Sequence, residues 1–215
     1  MRYYISDCHF FHAGVNDRMD HRGFDSAEEM NEYMIKQWNS QVRNNDEVVV
    51  LGDFSLGKAD ITNSILKRLH GKLFLIRGNH DKWISHRDAD LSRFQWIKDY
   101  AEMNDDGRKV ILCHYPIMCY NGQFRRDADG NPKVYMLHGH IHNTQDITGV
   151  EAYKRFVRNY PRTSRGNDTP VAAPINIINC FCMFSDYIPL TLDEWIEKEN
   201  KGECSKVYDD WKYDE

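Results

Sequence analysis

The 215-residue sequence predicts an α/β fold, and three observations carry that expectation. Over residues 1–77, short apolar runs rich in β-branched residues alternate with segments of helical periodicity. Five apolar runs along the chain each lead into Asp, Asn or His, most of them beside Gly. No internal repeat, low-complexity block or Pro/Gly/Ser-rich linker divides the chain. One domain over residues 1–215 is therefore expected, with the charged and aromatic stretch 200–215 a loosely held tail.

In order, Tyr3-Tyr4-Ile5 reads as a buried strand running into Asp7. Ser26 and Glu29 fit a capping box, and Met30, Met34, Trp38 and Val42 follow at four-residue spacing, so a helix is expected there. Val48–Leu51 is a second strand, leading into Gly52-Asp53. Ile61, Ile65, Leu66 and Leu69 make the apolar face of a second helix, stopped by Gly71. Leu73–Ile76 runs into Gly78-Asn79-His80-Asp81, Val110–Leu112 into His114, and Val134–Leu137 into Gly139-His140. Cys180 and Cys182 alternate on an apolar stretch and read as strand residues. Thr191 and Glu194 form another capping box, opening a helix to about Lys198.

Bulk properties exclude several classes. A net charge of −5 argues against an extended nucleic-acid surface, which needs clustered cations to displace counterions. Eighteen consecutive apolar residues occur nowhere, so no membrane span is expected. The N-terminus lacks a secretory apolar run, and the six cysteines show no Cys-x-x-Cys pair. Reduced thiols in the cytoplasm are the expectation.

The chemistry-bearing residues are Asp7-Cys8-His9, Gly52-Asp53, Gly78-Asn79-His80-Asp81, His114 and Gly139-His140-Ile141-His142. In α/β sheets, sites gather beyond the carboxyl ends of strands, which is where these residues fall. A single His after a strand is usually structural, but five strand ends with one habit are hard to explain so. On extended backbone, the spacings Asp7/His9 and His140/His142 would turn each pair to one side. Carboxylates, imidazoles and an amide oxygen together suit Mn, Fe or Zn better than calcium or a thiolate site. A rival pattern, Gly52-x-x-x-x-Gly57-Lys58, imitates a nucleotide-binding loop, but Ala59 stands where a Ser or Thr hydroxyl would ligate magnesium.

The five blocks, in this order from Asp7 to His142, resemble the calcineurin-like metallophosphoesterases. Phe10-Phe11-His12 and the stretch from Asp186 to Glu194 resemble a bacterial and phage branch of that superfamily. The resemblance implies two β-sheets packed face to face, helices outside, and metals at one end of the sandwich. It implies that Asp7, His9 and His142 hold one divalent ion, that Asn79, His114 and His140 hold the other, and that Asp53 bridges them. Manganese is the first expectation, with iron or zinc as alternatives. Two such ions roughly 3.5–4 Å apart make hydroxide available for in-line attack on a phosphate ester. His80, outside the ligand set, is then free to protonate the leaving group.

A small phosphodiester is the leading substrate expectation, with a phosphomonoester or a non-catalytic metal-binding scaffold as alternatives. The block Gly52-Asp53-Phe54-Ser55 lacks the Asp-Arg continuation of the protein phosphatases, which counts against phosphoproteins. His12, three residues after His9, is a candidate contact to substrate phosphate. Arg125 and Arg126 lie on a loop expected to overhang the metals, and arginine forks phosphate well. Asp81 either orients His80 or caps the turn after it, and His138 reads as strand-end packing. Residues 162–169 read as a surface loop. Oligomeric state is left open.

Overall fold

A computed structural model describes residues 1–164 and 167–204. In one sheet β1 (Arg2–Ile5), β2 (Glu47–Val50), β3 (Lys72–Ile76) and β4 (Phe94–Lys98) lie side by side in chain order, all parallel. In a second, β5 (Tyr100–Asp105) pairs antiparallel with β6 (Arg108–Cys113), which runs parallel to β7 (Val134–His138). β8 (Arg162–Ser164) and β9 (Asn167–Val171) pair with each other, and β10 (Ile177–Asn179) closes the second sheet, parallel to β7. The helices are α1 (Ala27–Gln41), α2 (Ala59–Arg68), α3 (Asp146–Asn159) and α4 (Leu192–Asn200).

Strand alternation sorts the apolar side chains into layers. Tyr3, Ile5, Val48, Val50, Leu73 and Leu75 pack against Met30, Met34, Trp38, Ile65 and Leu66 of α1 and α2. The next residues along, Tyr4, Val49, Leu51, Phe74 and Ile76, meet Val110, Leu112, Leu137 and Ile178 between the sheets. Ile111, Val134, Met136 and Ile177 face Ile147, Val150 and Val157 on the far side, where α3 lies. Strands buried on both faces need continuous apolar runs, which is why these segments are so legible. Each large side chain so buried contributes about 1.5–3 kcal/mol.

The capping expectations hold with one shift. Ser26 Oγ accepts the Glu29 N–H (3.1 Å), but the Glu29 carboxylate reaches back to Asp25 N–H (2.8 Å). Thr191 and Glu194 close a complete box at the start of α4. From α4, Trp195 donates its indole N–H to Tyr4 O (2.9 Å), tying that helix to β1. Within the expected tail, Cys204 is buried with the inter-sheet core while residues 200–202 are exposed; residues 205–215 lie outside the described residues.

Other expectations need correction. β10 ends at Asn179, so Cys180 and Cys182 are not strand residues; Cys182 opens a 3-10 turn, and both thiols are buried. Ile61 is 39% exposed at the start of α2 rather than facing the core. The stretch 162–169 contains a strand pair, with Arg162 over the Phe124 ring (4.4 Å); residues 165 and 166 lie outside the described residues. Among the described residues, no helix is long and apolar enough to cross a membrane.

Candidate metal centre

Because β1, β2 and β3 are mutually parallel, and β6 runs parallel to β7, their carboxyl ends bring the five chemical blocks to one edge of the sandwich. Backbone bonds extend each sheet into these turns: Asp7 N–H to Gly52 O (3.0 Å) and His9 N–H to Asp53 O (2.9 Å) in the first, Gly139 N–H to His114 O (2.9 Å) in the second, while Ser6 N–H to Cys180 O (2.9 Å) ties the two together.

The paired residues do not ride on extended backbone. Asp7, His9, Asp53, His140 and His142 all have positive φ, at 54°, 52°, 52°, 72° and 45°. Left-handed backbone is disfavoured for side chains with a Cβ, by about 1–3 kcal/mol at a strained site. Five such residues in one cluster mean that the surrounding structure holds each turn in place. The shared direction of each pair comes from tight turns and not from strand pleating.

Two groups of side chains lie close enough to grip an ion: Asp7, His9 and His142, and Asp7, Asp53 and His114. All five are buried. Nε2 atoms of His9 and His142 are 3.1 Å apart, and His142 Nε2 is 3.4 Å from Asp7 Oδ1. Asp7 belongs to both groups, and Asp53 Oδ2, of the second, is 3.6 Å from His9 Nε2 and 3.4 Å from His114 Nε2. Asn79 Oδ1 sits 3.0 Å from both His114 Nε2 and His140 Nδ1, on the more exposed side. Backbone N–H groups orient the carboxylates: His140 N–H points at both Asp7 oxygens (3.1 Å each), and His80 N–H at Asp53 Oδ1 (2.8 Å).

This donor set fits a pair of divalent cations. His114 donates Nδ1–H to Leu51 O (2.8 Å) and His142 donates Nδ1–H to Asp20 Oδ1 (2.7 Å), so Nε2 of each faces the cluster as the nitrogen that would ligate an ion. The glycines of the motifs make room for it. A Cβ on Gly139 would lie 2.3 Å from Asp7 Oδ2, and one on Gly52, whose φ is +95°, would lie 2.3 Å from His114 Nδ1. Close approach and left-handed backbone therefore account for Gly52, the residue that imitates a nucleotide loop.

Charge follows the same geometry. Burial works against the Asp7 carboxylate, yet the imidazoles of His142, His114 and His9 hold its pKa well below the usual range. His142 is pushed up to about 10: burial alone would lower it, but Asp7 and Asp20 outweigh that. His9 moves down, through burial and its neighbour His142. His114 moves up because Asp53 and Asp7 outweigh its burial.

Among the remaining sequence candidates, His80 is half-buried with its ring 5.4 Å from that of His9. His12 completes this group, its Nδ1 3.3 Å from His9 Nδ1 and its ring 6.2 Å from His80. Asp81 does not reach toward His80: its oxygens accept from the N–H groups of Gly78 and Asp53 (2.9 Å each), Phe54 (2.8 Å) and the Trp83 indole (3.1 Å). It fastens the turn after β3 to the turn after β2. His138 is buried behind the site, with Nδ1 on Gly139 O (2.8 Å).

Arg125 and Arg126 are not brought to the cluster. Arg125 O accepts Lys133 N–H (3.0 Å), Arg126 bridges to Pro132, and the Arg126 guanidinium binds Ala172 O. Lys133 immediately precedes β7, whereas His140 lies beyond its other end, roughly 16 Å or more away at ~3.3 Å per residue. The loop runs beside the start of β7 instead of overhanging its end.

Three neighbours of the site carry no motif and escape sequence reasoning. Asp20 and Arg22 lie behind His142, and nothing in their spacing marks them; the one available signal is the presence of Arg in a stretch that must pack. Tyr115, 46% exposed, sets its ring edgewise on His140 (4.5 Å) and His114 (5.1 Å).

Comparison with known proteins adds the family context. A model of the calcineurin-like phosphoesterase superfamily domain matches residues 3–158. An uncharacterized protein of Methanocaldococcus jannaschii is 30% identical over 210 residues, spanning 97% of this chain and 96% of its own. The Gene 66 protein of Mycobacterium phage D29 is 31% identical over 163 residues, 66% of this chain and 78% of the relative. The crystal structure of a protein of unknown function from Aquifex aeolicus shares the fold, with a TM-score of 0.62 at 23% identity over 93% of this chain and 98% of the other.

Proposed function

The chain belongs to the calcineurin-like phosphoesterase superfamily, and on that premise we propose that it hydrolyses a small phosphodiester with a pair of divalent metal ions. The observation that carries the reading is Asp53 Oδ2, within 3.6 Å of an imidazole of each group. In this reading Asp7, His9 and His142 hold one ion, Asn79, His114 and His140 hold the second, and Asp53 serves both. Manganese is the proposed metal, with iron or zinc as alternatives. We read residues 1–215 as one domain; the free thiols fit a reducing compartment such as the cytoplasm.

When bound, such ions withdraw charge from a phosphoryl oxygen and acidify water for attack at neutral pH. The chain's own residues do the rest. Asp7 and Asp53 are fixed by backbone N–H groups before any ion arrives, so little reorganisation remains. In this reading His80, partly exposed, protonates the leaving oxygen, and His12, its ring 6.2 Å from that of His80, contacts the phosphate.

The diester preference rests on charge. A monoester carries close to two negative charges at neutral pH and a diester one. Arg22, the arginine packed behind the cluster, is committed to Asp20 and to the carbonyls of Asp7 and Cys8. With Arg125 and Arg126 elsewhere, none of these guanidinium groups is offered to a second phosphate charge.

The test is to strip the protein with chelator, restore manganese, iron, zinc or magnesium singly, and assay paired aryl phosphodiester and phosphomonoester substrates with metal stoichiometry in parallel. Two ions per chain with restored diester turnover are expected. A higher rate on the monoester would reverse the substrate assignment, and absence of stoichiometric metal would remove the mechanism altogether.

A further inference from the structure

The side chains behind His142 form a continuous chain that motif reasoning does not explain. After a five-residue π turn, Val15–Met19, the chain places Asp20 and Arg22 against the back of the cluster. Arg22 is buried, and both of its bonds to Asp20, from Nε (3.0 Å) and Nη2 (2.8 Å), go to Oδ2. The other oxygen, Oδ1, is left for His142 Nδ1–H at 2.7 Å. The same guanidinium donates to Cys8 O (2.7 Å) and Asp7 O (2.9 Å), the carbonyls of the strained turn that presents Asp7 and His9. One arginine thus fixes the orientation of His142 through Asp20 and holds the turn carrying the other two residues of that group.

The support continues into the C-terminal segment. The Asp186 carboxylate accepts from Tyr33 OH (2.9 Å) and Gln37 Nε2 (2.6 Å) of α1, and Asp186 and Tyr187 both have positive φ. That turn lays the Tyr187 ring 5.7 Å from the Arg22 guanidinium, with Phe181 at 5.8 Å, and the Phe181 ring also stacks on His142 (4.8 Å).

We propose that Asp20, held by Arg22, is a positioning residue for one of the two ions: it fixes His142 with its proton on Nδ1 and its Nε2 lone pair in the cluster. This rests on the dinuclear reading above. A structural ion pair alone would need only Oδ2; the bond from His142 Nδ1–H to Oδ1 is what ties Asp20 to the ligand itself. Residues in this position behind a ligating histidine typically change metal affinity by ~10–100-fold.

The experiment is calorimetric titration of Mn²⁺ into chelator-stripped wild type, Asp20→Asn and Asp20→Glu, with melting of the stripped proteins in parallel. Asp20→Asn is expected to weaken one binding step by ~10–100-fold and leave the other within about threefold, with Asp20→Glu recovering part of the loss. Two unchanged steps, or two steps weakened alike, would overturn the proposal while leaving the dinuclear reading intact. A wild type that takes up no stoichiometric Mn²⁺ would remove both. Should Asp20→Asn not fold, ¹⁵N-histidine NMR of the Zn²⁺-loaded wild type, assigned against His142→Asn, decides the matter. A proton on His142 Nδ1 is expected, and a proton on Nε2 would sink the assignment.

Discussion

A methyl group on Gly78 would lie 2.2 Å from Asp53 Oδ1 and 2.3 Å from Asp53 N, so the turn after β3 presses its bare backbone against the carboxylate that faces both His9 and His114. Asp81 clamps the contact from the other side, accepting from both Gly78 N–H and Asp53 N–H. Gly78→Ala is therefore expected to displace Asp53 and abolish stoichiometric metal, while the strain lowers stability by about 1–3 kcal/mol. Elemental analysis and melting of the stripped variant check this; normal metal content and turnover would mean that the turn yields elsewhere.

Asp53 and Asn79 should differ in what they remove. Asp53→Ala is expected to eliminate both ions, because its carboxylate faces His9 and His114 alike. Asn79→Ala takes away an oxygen that touches only the second set, His114 and His140, and is expected to lower stoichiometry from two ions toward one. Equal losses in the two variants would contradict the division of ligands.

His80 lies outside both ion-gripping groups, and its ring stands against His9 at the rim. His80→Ala is expected to keep two ions and lose ~10²–10⁴-fold in kcat. The loss should shrink on substrates whose leaving group is acidic enough to depart unprotonated. A deficit independent of leaving-group pKa would assign His80 a role other than proton donor.

The metal-free protein should show an inverse pH dependence of stability above neutrality. His142 has its pKa raised to about 10, against roughly 6.5 in an unfolded chain. Its contribution is then fully present below about pH 6.5 and is lost as pH rises through the folded value. Asp7, with a depressed pKa, contributes above about pH 4 and loses that contribution as pH falls through its lower folded value. Chelator-treated protein is expected to melt progressively lower from about pH 6.5 to 9. Saturating Mn²⁺ should flatten or reverse the trend, because ion and proton compete for the same nitrogen. A flat profile without metal would argue that His142 is neutral there.

Arg125→Ala and Arg126→Ala are expected to leave kcat/KM within about twofold, since both residues sit beside the start of β7. A tenfold fall in either variant would mean that the loop reaches the site in a state other than the one described.

The core strands, α1, α2 and α4 and the ordered metal-competent blocks were legible in the sequence because each is a local signal. Val48–Leu51 must be apolar at every position when both faces are buried, and Thr191 and Glu194 cap a helix by their own side chains. β4, β5 and α3 escaped because their apolar residues are interrupted: Gln95, Glu102 and Thr148 are exposed on their outer faces. The tertiary structure alone decided three things about the site. It set the left-handed turns at Asp7, His9, His140 and His142 in place of extended backbone. It carried Arg125 and Arg126 away from the cluster, since a loop between two parallel strands must return to the start of the next strand. It also brought Asp20 to His142 across 122 positions of sequence. The identity of a ligand is local chemistry and can be read from one residue and its neighbours, whereas the partner that orients it is a long-range contact that exists only after the sheets, turns and C-terminal segment have packed together.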